Sequence, residues 1–291
     1  DQPRSRGLGM CIRDSAIEVL SNYVNGNVDA KLMSDYDCVY GGDVEKWVKF
    51  ANTLRLRLAI RVSYANPTLA EAQAKKSMEN MFGFIESKAE RAELSHNSLE
   101  YHHPLHEIAY NFNSGDCRPG ATIVAYLNGL NDSRISSYFT AADDGEYHGV
   151  RIGITTSNMS NYQGNKISNL NINRASTPVV WMTAAESFFL RAEGALRGWA
   201  MGGDAKSLYE EAIALSFEQY GLPATDALSY ATNASNTPQA YTDPVNGTYS
   251  AGAVSSITVA WQEGDEYTEK NLERIITQKW IAMFPLSLIH I

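Results

Sequence analysis

The stretch that decides the fold of this chain is MTAAESFFLRAEGALRGW, residues 182–199. It opens with Thr183 and Glu186, whose three-residue spacing is the capping-box signature of a helix start. Apolar residues then follow at spacings of three and four, namely Ala185, Phe188, Ala192, Ala195 and Trp199. Because side chains at these spacings share one face of an α-helix, the stretch predicts an amphipathic helix.

A second helix is expected directly after this one. The glycine pair at 202–203 should end the first helix, and Asp204 is a suitable N-cap for a helix that runs to about Tyr220. Ala205 and Tyr209 have the spacing of the second helix of a tetratricopeptide unit. One such unit on its own does not define a repeat array, but it does predict a helical hairpin.

Residues 44–64 carry the same periodicity. Asp43 precedes them as an N-cap, and the apolar positions are Trp47, Ala51, Leu54, Leu58 and Val62. The alternation LRLRL at 54–58 also fits a strand, but the length of the pattern and its lack of Gly and Pro favour a helix. Arg55 and Arg57 are then expected to snorkel from the flanks of the apolar stripe.

Further helices are predicted at 68–81, antiparallel to the preceding helix, at 121–130 and at 267–284. Residues 136–180 are rich in Gly, Asn, Ser, Thr and Tyr without a sustained period, which predicts a long loop with short strands, and residues 222–265 also read as loop. The predicted fold class is therefore mainly α, with tetratricopeptide-like helical hairpins that alternate with long irregular loops.

Both ends of the chain resemble translated sequencing adaptor. Residues 10–15, MCIRDS, are encoded by ATG TGT ATA AGA GAC AGC, and residues 286–291, LSLIHI, by CTG TCT CTT ATA CAC ATC. The two DNA strings resemble one transposase end read in opposite directions. We therefore expect residues 1–15 and 286–291 to be adaptor-derived and residues 16–285 to be a partial helical domain, truncated at both ends.

The composition is that of an ordinary globular chain, with 44% hydrophobic and 20% charged residues. A formal net charge of −9 without a basic run argues against a nucleic-acid-binding protein. No apolar stretch approaches the roughly 20 residues of a membrane-spanning helix. Cys11 lies in the expected adaptor segment, while Cys38 and Cys117 could form one disulfide or remain free thiols.

Three segments in a fixed order resemble the SusD/RagB family of nutrient-binding outer-membrane lipoproteins. They begin with WVKFANTLRLRLA at residue 47, with MTAAESFFLRAEGALRGW at residue 182 and with ITQKWIAMF at residue 276. Shorter elements that are similar to the family's occur in the same order, namely VYGGD at 39–43, NDSR at 131–134, and Tyr209 with Ile213 and Ser216. Each could be a generic helical segment, and the ordered combination over most of residues 35–285 carries the resemblance.

The resemblance implies a mostly helical protein that binds a nutrient, typically an oligosaccharide and sometimes a peptide, without catalysis or a cofactor. It also implies a surface-exposed lipoprotein of the outer membrane, held by a lipidated N-terminal Cys, that delivers its ligand to a SusC-like TonB-dependent transporter. In this sequence the lipidated Cys, the first helices and the acidic, Trp-Arg-Arg-rich continuation after Pro285 are not found. We therefore expect the membrane anchor to be missing from the fragment.

The chain contains 16 Tyr and 5 Trp, and many of them lie in polar, loop-like stretches. A sugar ring stacks its apolar C–H face on an indole or phenol, while its hydroxyls need polar partners. The predicted ligand-binding residues are Tyr147, Tyr162, Trp181 and Trp261, with Asn161 and Asn165 nearby in sequence. Each could instead pack beneath its own loop. Three other tryptophans lie on helical stripes and are expected in the core, namely Trp47, Trp199 and Trp280.

No metal site and no catalytic residue is predicted. The densest group of metal-ligand side chains is His102, His103, His106 and Glu107. It lacks the His-Glu-x-x-His spacing, because Tyr110 stands three residues after Glu107. Loop carboxylates that could act as a glycosidase pair are Asp143, Asp144, Glu146, Glu263, Asp265 and Glu266, but a pair needs a separation that sequence alone does not supply.

The leading hypothesis is therefore a nutrient-binding lipoprotein that captures a glycan by aromatic stacking. One rival is a helical-repeat scaffold that binds another protein and has no affinity for small molecules. The other is a glycoside hydrolase, which would release reducing ends.

Overall fold

The computed structural model describes residues 5–94, 103–112 and 117–285, with side chains from residue 13 onward. The helices are α1 Ser5–Gly26, α2 Val44–Arg61, α3 Pro67–Met78, α4 Pro104–His106, α5 Ala121–Gly129, α6 Ile135–Tyr138, α7 Ala184–Leu196, α8 Ala205–Gln219, α9 Ala224–Ala231 and α10 Thr268–Ala282. The strands are β1 Ala92–Leu94, β2 Phe139–Thr140, β3 Asn169–Leu170 and β4 Val179–Met182. β1 pairs with β4, and β2 runs antiparallel to β3. The prediction of a mainly α fold is confirmed.

The chain divides into two compact units. Within the described residues, the first contains positions up to 94 together with Val180–Ala212, and the second contains positions 103–179 and 213–285. The first unit carries α1, α2, α3 and α7. The second carries α5, α6, α9 and α10 with the long loops between them.

The helix starts follow from local capping. Asp43, Thr183 and Asp204 each accept a hydrogen bond from the backbone N–H three residues later, at 3.1, 3.2 and 2.9 Å. Such a bond satisfies one of the amide groups that a helix start leaves free. The three N-caps predicted from sequence are therefore confirmed, and the turns that start α2, α7 and α8 are encoded by a few consecutive residues.

In the first unit, α2 contacts α1, α3 and α7. Its buried apolar side chains include Val48, Leu56 and Ala59, whereas Leu58 is 42% exposed. The predicted apolar stripe through Leu58 is therefore wrong. A helix with neighbours on three sides buries positions around much of its circumference, so a pattern for one face does not identify them.

Arg55 and Arg57 of α2 do not snorkel into solvent as predicted. Arg55 is 6% exposed and pairs with Asp14 at 3.2 Å. Arg57 donates from Nε and Nη2 to the two carboxylate oxygens of Glu186, at 2.5 and 2.6 Å. Because Glu186 is 1% exposed, this ion pair ties α2 to the first turn of α7 inside the unit. It also occupies the side chain that was predicted to complete the capping box of α7.

The end of α7 also differs from the prediction, because the helix stops at Leu196 rather than at the glycine pair 202–203. Gly198 has φ +85°, a conformation that favours glycine. The backbone N–H of Trp199 donates to the carbonyl of Gly194 at 3.0 Å, and that of Gly198 to Ala195 at 2.9 Å. These bonds close the helix in the pattern of a C-cap, so Trp199 lies beyond the helix and not on its face.

The second unit is organised around the fully buried side chain of Arg134. Its Nε and Nη2 donate to the carboxylate of Asp132, at 2.9 and 2.5 Å, and its Nη1 donates to Ser216 at 2.8 Å. The guanidinium also lies 4.8 Å from the ring centre of Phe217. A buried cation needs this many partners, since leaving one unpaired in a protein interior is costly.

Four of the described helices were missed from sequence, namely α1, α4, α6 and α9. The predicted loop 222–265 contains α9, which starts after Pro223 and buries Ala227, Tyr230 and Ala231. The stretch is short, and six of its eight residues are Ala, Thr, Asp or Ser, so its period is weak on its own. The side chain of Gln278 in α10 donates to the hydroxyl of Tyr230 at 2.9 Å, and the two residues are 48 positions apart in sequence.

The adaptor origin of both ends remains a prediction. Residues 1–4 and 286–291 lie outside the described residues, and residues 5–15 belong to α1.

Candidate ligand-binding site

The four predicted ligand-binding aromatics fall in different surroundings. Trp181 belongs to β4 in the first unit and is 37% exposed. The other three lie in the second unit, where Tyr147 and Trp261 are half-buried. Tyr162 is 3% exposed, so in this structure its ring offers no open face for a sugar to stack on. Its role is therefore read from its hydrogen bonds.

Tyr162 is one of several donors around the carboxylate of Asp243, which is 5% exposed. The hydroxyls of Tyr162 and Tyr241 donate to it at 2.9 Å, and the backbone N–H groups of Val245 and Asn246 donate at 2.9 and 2.8 Å. Burial alone would raise the pKa of Asp243, but these donors hold it below its ordinary value. Burial and the charge of Asp243 raise the pKa of Tyr162 to about 12.

This cluster joins two loops of the second unit. The hydroxyl oxygen of Tyr241 also lies 2.8 Å from the carbonyl oxygen of Gly149, so its single proton is shared between Asp243 and this carbonyl. Nearby, Asn158 donates to the hydroxyl of Tyr249 at 2.9 Å, and Arg151 donates to the carbonyl of Tyr249 at 3.3 Å. The segment 149–162 is thereby held against the segment 241–250.

A backbone bridge connects the same segment to the start of α5. Val150 donates to the carbonyl of Pro119 at 2.8 Å, and Ala121 donates to the carbonyl of Val150 at 2.9 Å. A Cβ added at Gly149 would lie 2.7 Å from the carbonyl oxygen of Gly120, closer than real Cβ atoms come to backbone. Only glycine permits this approach, so residue 149 fixes how close the two backbones come.

A cavity of about 360 Å³ lies at this junction. Its apolar lining includes Leu105, Ile123, Ile152, Leu170, Trp280 and Phe284. Trp280 is half-buried and meets the ring of Tyr126 edge-on at 5.4 Å. The volume is in the range of small-ligand pockets, and an indole in the wall can accept the C–H face of a sugar ring.

The polar part of the lining is cationic. Arg118 and Arg151 both line the cavity. Burial lowers the pKa of Arg118, and its buried Nε has no hydrogen-bond partner among the described residues. Arg151 is exposed and donates to the backbone carbonyls of Tyr249 and Ser250. The cavity therefore combines an apolar floor with guanidinium donors.

The residues of this cavity were missed or misassigned from sequence. Trp280 was predicted to be a core residue because it lies on the stripe of α10. Arg118 and Arg151 belong to no recognisable sequence motif. The only signal near them was the long polar loop around residue 151, a type of segment that often holds functional residues. The cavity depends on α5, β3 and α10, which are far apart in sequence.

The histidine group is engaged in local contacts. His102 lies outside the described residues, and Nδ1 of the buried His103 accepts from the backbone N–H of Leu105 at 3.2 Å. The ring of His106 stacks on Tyr110 at 4.7 Å, and Glu107 pairs with Arg174 at 2.9 Å. Across residues 5–94, 103–112 and 117–285, no group of three His, Cys, Asp or Glu side chains is placed to hold a metal ion.

The loop carboxylates are solvent-exposed, and the two described cysteines are not paired with each other. All six loop acids considered as hydrolase candidates are exposed, namely Asp143, Asp144, Glu146, Glu263, Asp265 and Glu266. Cys38 and Cys117 are free thiols. Of the helices the structure describes, none combines the length and apolar character needed to cross a membrane.

Comparison with protein families gives a match over residues 13–288 to the SusD-like family, described as SusD and RagB outer-membrane lipoproteins. A comparison with curated proteins found no match.

Solved structures similar to this chain include a chitin-binding SusD homologue from Flavobacterium johnsoniae, at 37% identity and a TM-score of 0.86. They also include a SusD homologue from Bacteroides uniformis, at 41% identity and a TM-score of 0.84. Each alignment covers 94% of this chain and 55% of the other, so the chain spans a little over half the length of these relatives.

Proposed function

Because the chain belongs to the SusD/RagB family of outer-membrane lipoproteins, we propose that it binds an oligosaccharide in the cavity beside Trp280, without chemical turnover. The observation that carries the proposal is the pairing of an indole wall with guanidinium donors in one cavity of the second unit. Such a pairing suits a sugar, whose ring has apolar C–H faces and whose rim carries oxygen acceptors. The chitin-binding relative supports a glycan over a peptide.

The cellular part of the proposal follows the family. In the full-length protein, a lipid anchor would hold the domain at the surface of the outer membrane. A SusC-like TonB-dependent transporter would then receive the ligand. Tyr147, Trp181 and Trp261, each at least partly exposed, are the alternative location of the site. For Tyr162 the buried hydrogen bonds to Asp243 support a structural role instead.

The proposal is tested by calorimetric titration of the chain with soluble oligosaccharides, including chito-oligosaccharides, together with an assay for released reducing ends. We expect binding without new reducing ends. Trp280→Ala should abolish binding, and circular dichroism should establish that this variant is folded. Ile152→Ser is a second probe, because Ile152 is 93% exposed and its replacement costs little packing.

The double variant Trp181→Ala with Trp261→Ala separates the two predicted locations of the site. Full binding in the double variant and none in Trp280→Ala supports the cavity. The reverse result would move the site to the loop aromatics. No saccharide binding by the folded chain would favour the protein-interaction scaffold, and new reducing ends would favour a hydrolase.

A further inference from the structure

The two arginines of the cavity differ in their partners from Arg134 and Arg174 of the same unit, whereas Arg274 donates to the carbonyl of Thr258 and to the side chain of Gln262. Arg134 pairs with Asp132, and Arg174 pairs with Glu107. Arg118 and Arg151 form no ion pair with a carboxylate among residues 5–94, 103–112 and 117–285. This is unexpected in a chain whose formal net charge is −9.

A half-buried guanidinium at an apolar cavity is electrostatically unfavourable without an anion. The partial burial of Arg118 removes water that would otherwise solvate its charge. Arg151 donates hydrogen bonds to the carbonyls of Tyr249 and Ser250. These bonds orient the Arg151 side chain but do not neutralise its positive charge. A bound anion would supply the missing charge.

The backbone of the cavity wall favours the same charge. Gly120, Ala121 and Thr122 line the cavity and form the start of α5. Gly120 is the N-cap and has no side chain to accept from the amide N–H groups of the first turn, of which that of Ala121 donates to the carbonyl of Val150. The amides after Ala121 and the positive end of the helix dipole follow Arg118 closely in the chain and reinforce the attraction for an anion.

We infer that the ligand of this cavity is an acidic oligosaccharide, whose anionic group is held by Arg118 and Arg151 while a sugar ring lies against Trp280. The inference rests on the proposed function and narrows its ligand class. A planar guanidinium offers paired donors that match either a carboxylate or a sulfate group. The two groups are separate arms of the test.

The first experiment compares ligands that differ only in charge. The chain is titrated with oligogalacturonate and with its methyl ester, which keeps the sugar skeleton and removes the negative charge, and with a sulfated galactan oligomer and its desulfated form. We expect at least one acidic member to bind about tenfold or more tightly than its neutral counterpart, as the loss of a charged hydrogen bond would cause. The preferred pair identifies the anionic group.

The second experiment assigns the effect to the cavity. Arg118→Gln and Arg151→Gln should each reduce affinity for the acidic ligand about tenfold, and reduce affinity for the neutral one by less, because Gln keeps a hydrogen-bond donor but carries no charge. Arg174→Gln is the matched control, because Arg174 is in the same unit, is paired with Glu107 and does not line the cavity. Arg151 is exposed, so its variant remains informative even if Arg118→Gln folds poorly.

The outcomes separate the two proposals. Equal binding of acidic and neutral members, unaffected by either Gln variant, overturns the inference and leaves oligosaccharide binding intact. No binding of any saccharide overturns both. Binding of an acidic peptide in place of every saccharide would also overturn the inference.

Discussion

The hydroxyl of Tyr162 donates to both carboxylate oxygens of Asp243, at 2.9 and 3.0 Å. A tyrosine that sequence placed among ligand contacts is thus a buried hydrogen-bond donor. Tyr162→Phe keeps the ring and removes the donor to a charged acceptor. We expect it to lower the free energy of unfolding by about 1.5–3 kcal/mol, measured by urea denaturation, and to leave oligosaccharide affinity unchanged.

Tyr249→Phe is the matched control for this change. Its hydroxyl also takes part in hydrogen bonds, with Thr155 and Asn158, but they lie near the surface, where water can replace them. Its loss of stability should be smaller. A loss of ligand affinity in folded Tyr162→Phe would return that residue to the binding site.

Asp243 should make the stability of the chain depend on acid. Its pKa is lower in the folded protein than in the unfolded chain, so the unfolded state takes up the proton first as the pH falls. The stabilisation is therefore fully present above the ordinary carboxyl pKa and is lost as the pH falls through the lowered folded value. Asp243→Asn should be less stable at neutral pH and show a weaker decline in acid, which denaturation at a series of pH values measures.

The control for the acid effect is Asp265→Asn, since Asp265 is exposed in a loop. Its pH profile should follow the parent's, because other carboxylates contribute equally in both. If the profiles of Asp243→Asn and the parent are parallel, the proposed effect of Asp243 is wrong.

The buried pair of Arg134 and Asp132 gives the largest predicted loss of stability. Asp132→Asn would leave the guanidinium buried without its carboxylate. Removing one partner of such a pair costs about 3–5 kcal/mol. Glu107→Gln, which breaks the exposed pair with Arg174, should cost far less. Thermal unfolding of the two variants tests the ranking, and similar losses would contradict it.

Gly149→Ala should disturb the cavity through the backbone. Its added Cβ would lie 2.7 Å from Gly120 O and 2.8 Å from Ala121 N. Because neither backbone atom can rotate away, we expect a loss of about 1–3 kcal/mol and weaker ligand binding. Gly252→Ala is the control, since a Cβ there meets nothing within 4 Å. Unchanged stability in Gly149→Ala would contradict this prediction, because it would show that the backbone pairing of Val150 with Pro119 and Ala121 can shift at little cost.

The parts of this fold that sequence predicts well are the ones encoded locally. Asp43, Thr183 and Asp204 each cap a helix by accepting a hydrogen bond from the backbone N–H three residues later. A few consecutive residues are therefore enough to predict these helix starts. The stripe of α2 was wrong because its buried face depends on three neighbouring helices. Arg57 likewise finds its partner Glu186 across 129 positions.

The candidate site was less accessible to sequence for the same reason. Aromatic residues in polar loops are a sound signal for a glycan contact, but the signal does not separate an exposed ring from one like Tyr162, whose acceptor lies 81 positions away. Trp280 has the period of a core residue and nevertheless lines a cavity. Periodicity reports which face of a helix is apolar, not whether that face is covered.

Cys117 lies in the cavity wall, so the rate at which its thiol is alkylated should depend on whether the cavity is occupied. Burial raises the pKa of this thiol and so lowers its fraction of reactive thiolate, whereas Cys38 is exposed. Alkylation followed peptide by peptide in a mass spectrometer would thus compare the rate at Cys117 with that at Cys38 in one sample. A ligand that fills the cavity would slow the rate at Cys117 and leave that at Cys38 unchanged, which reports occupancy without any label or substitution.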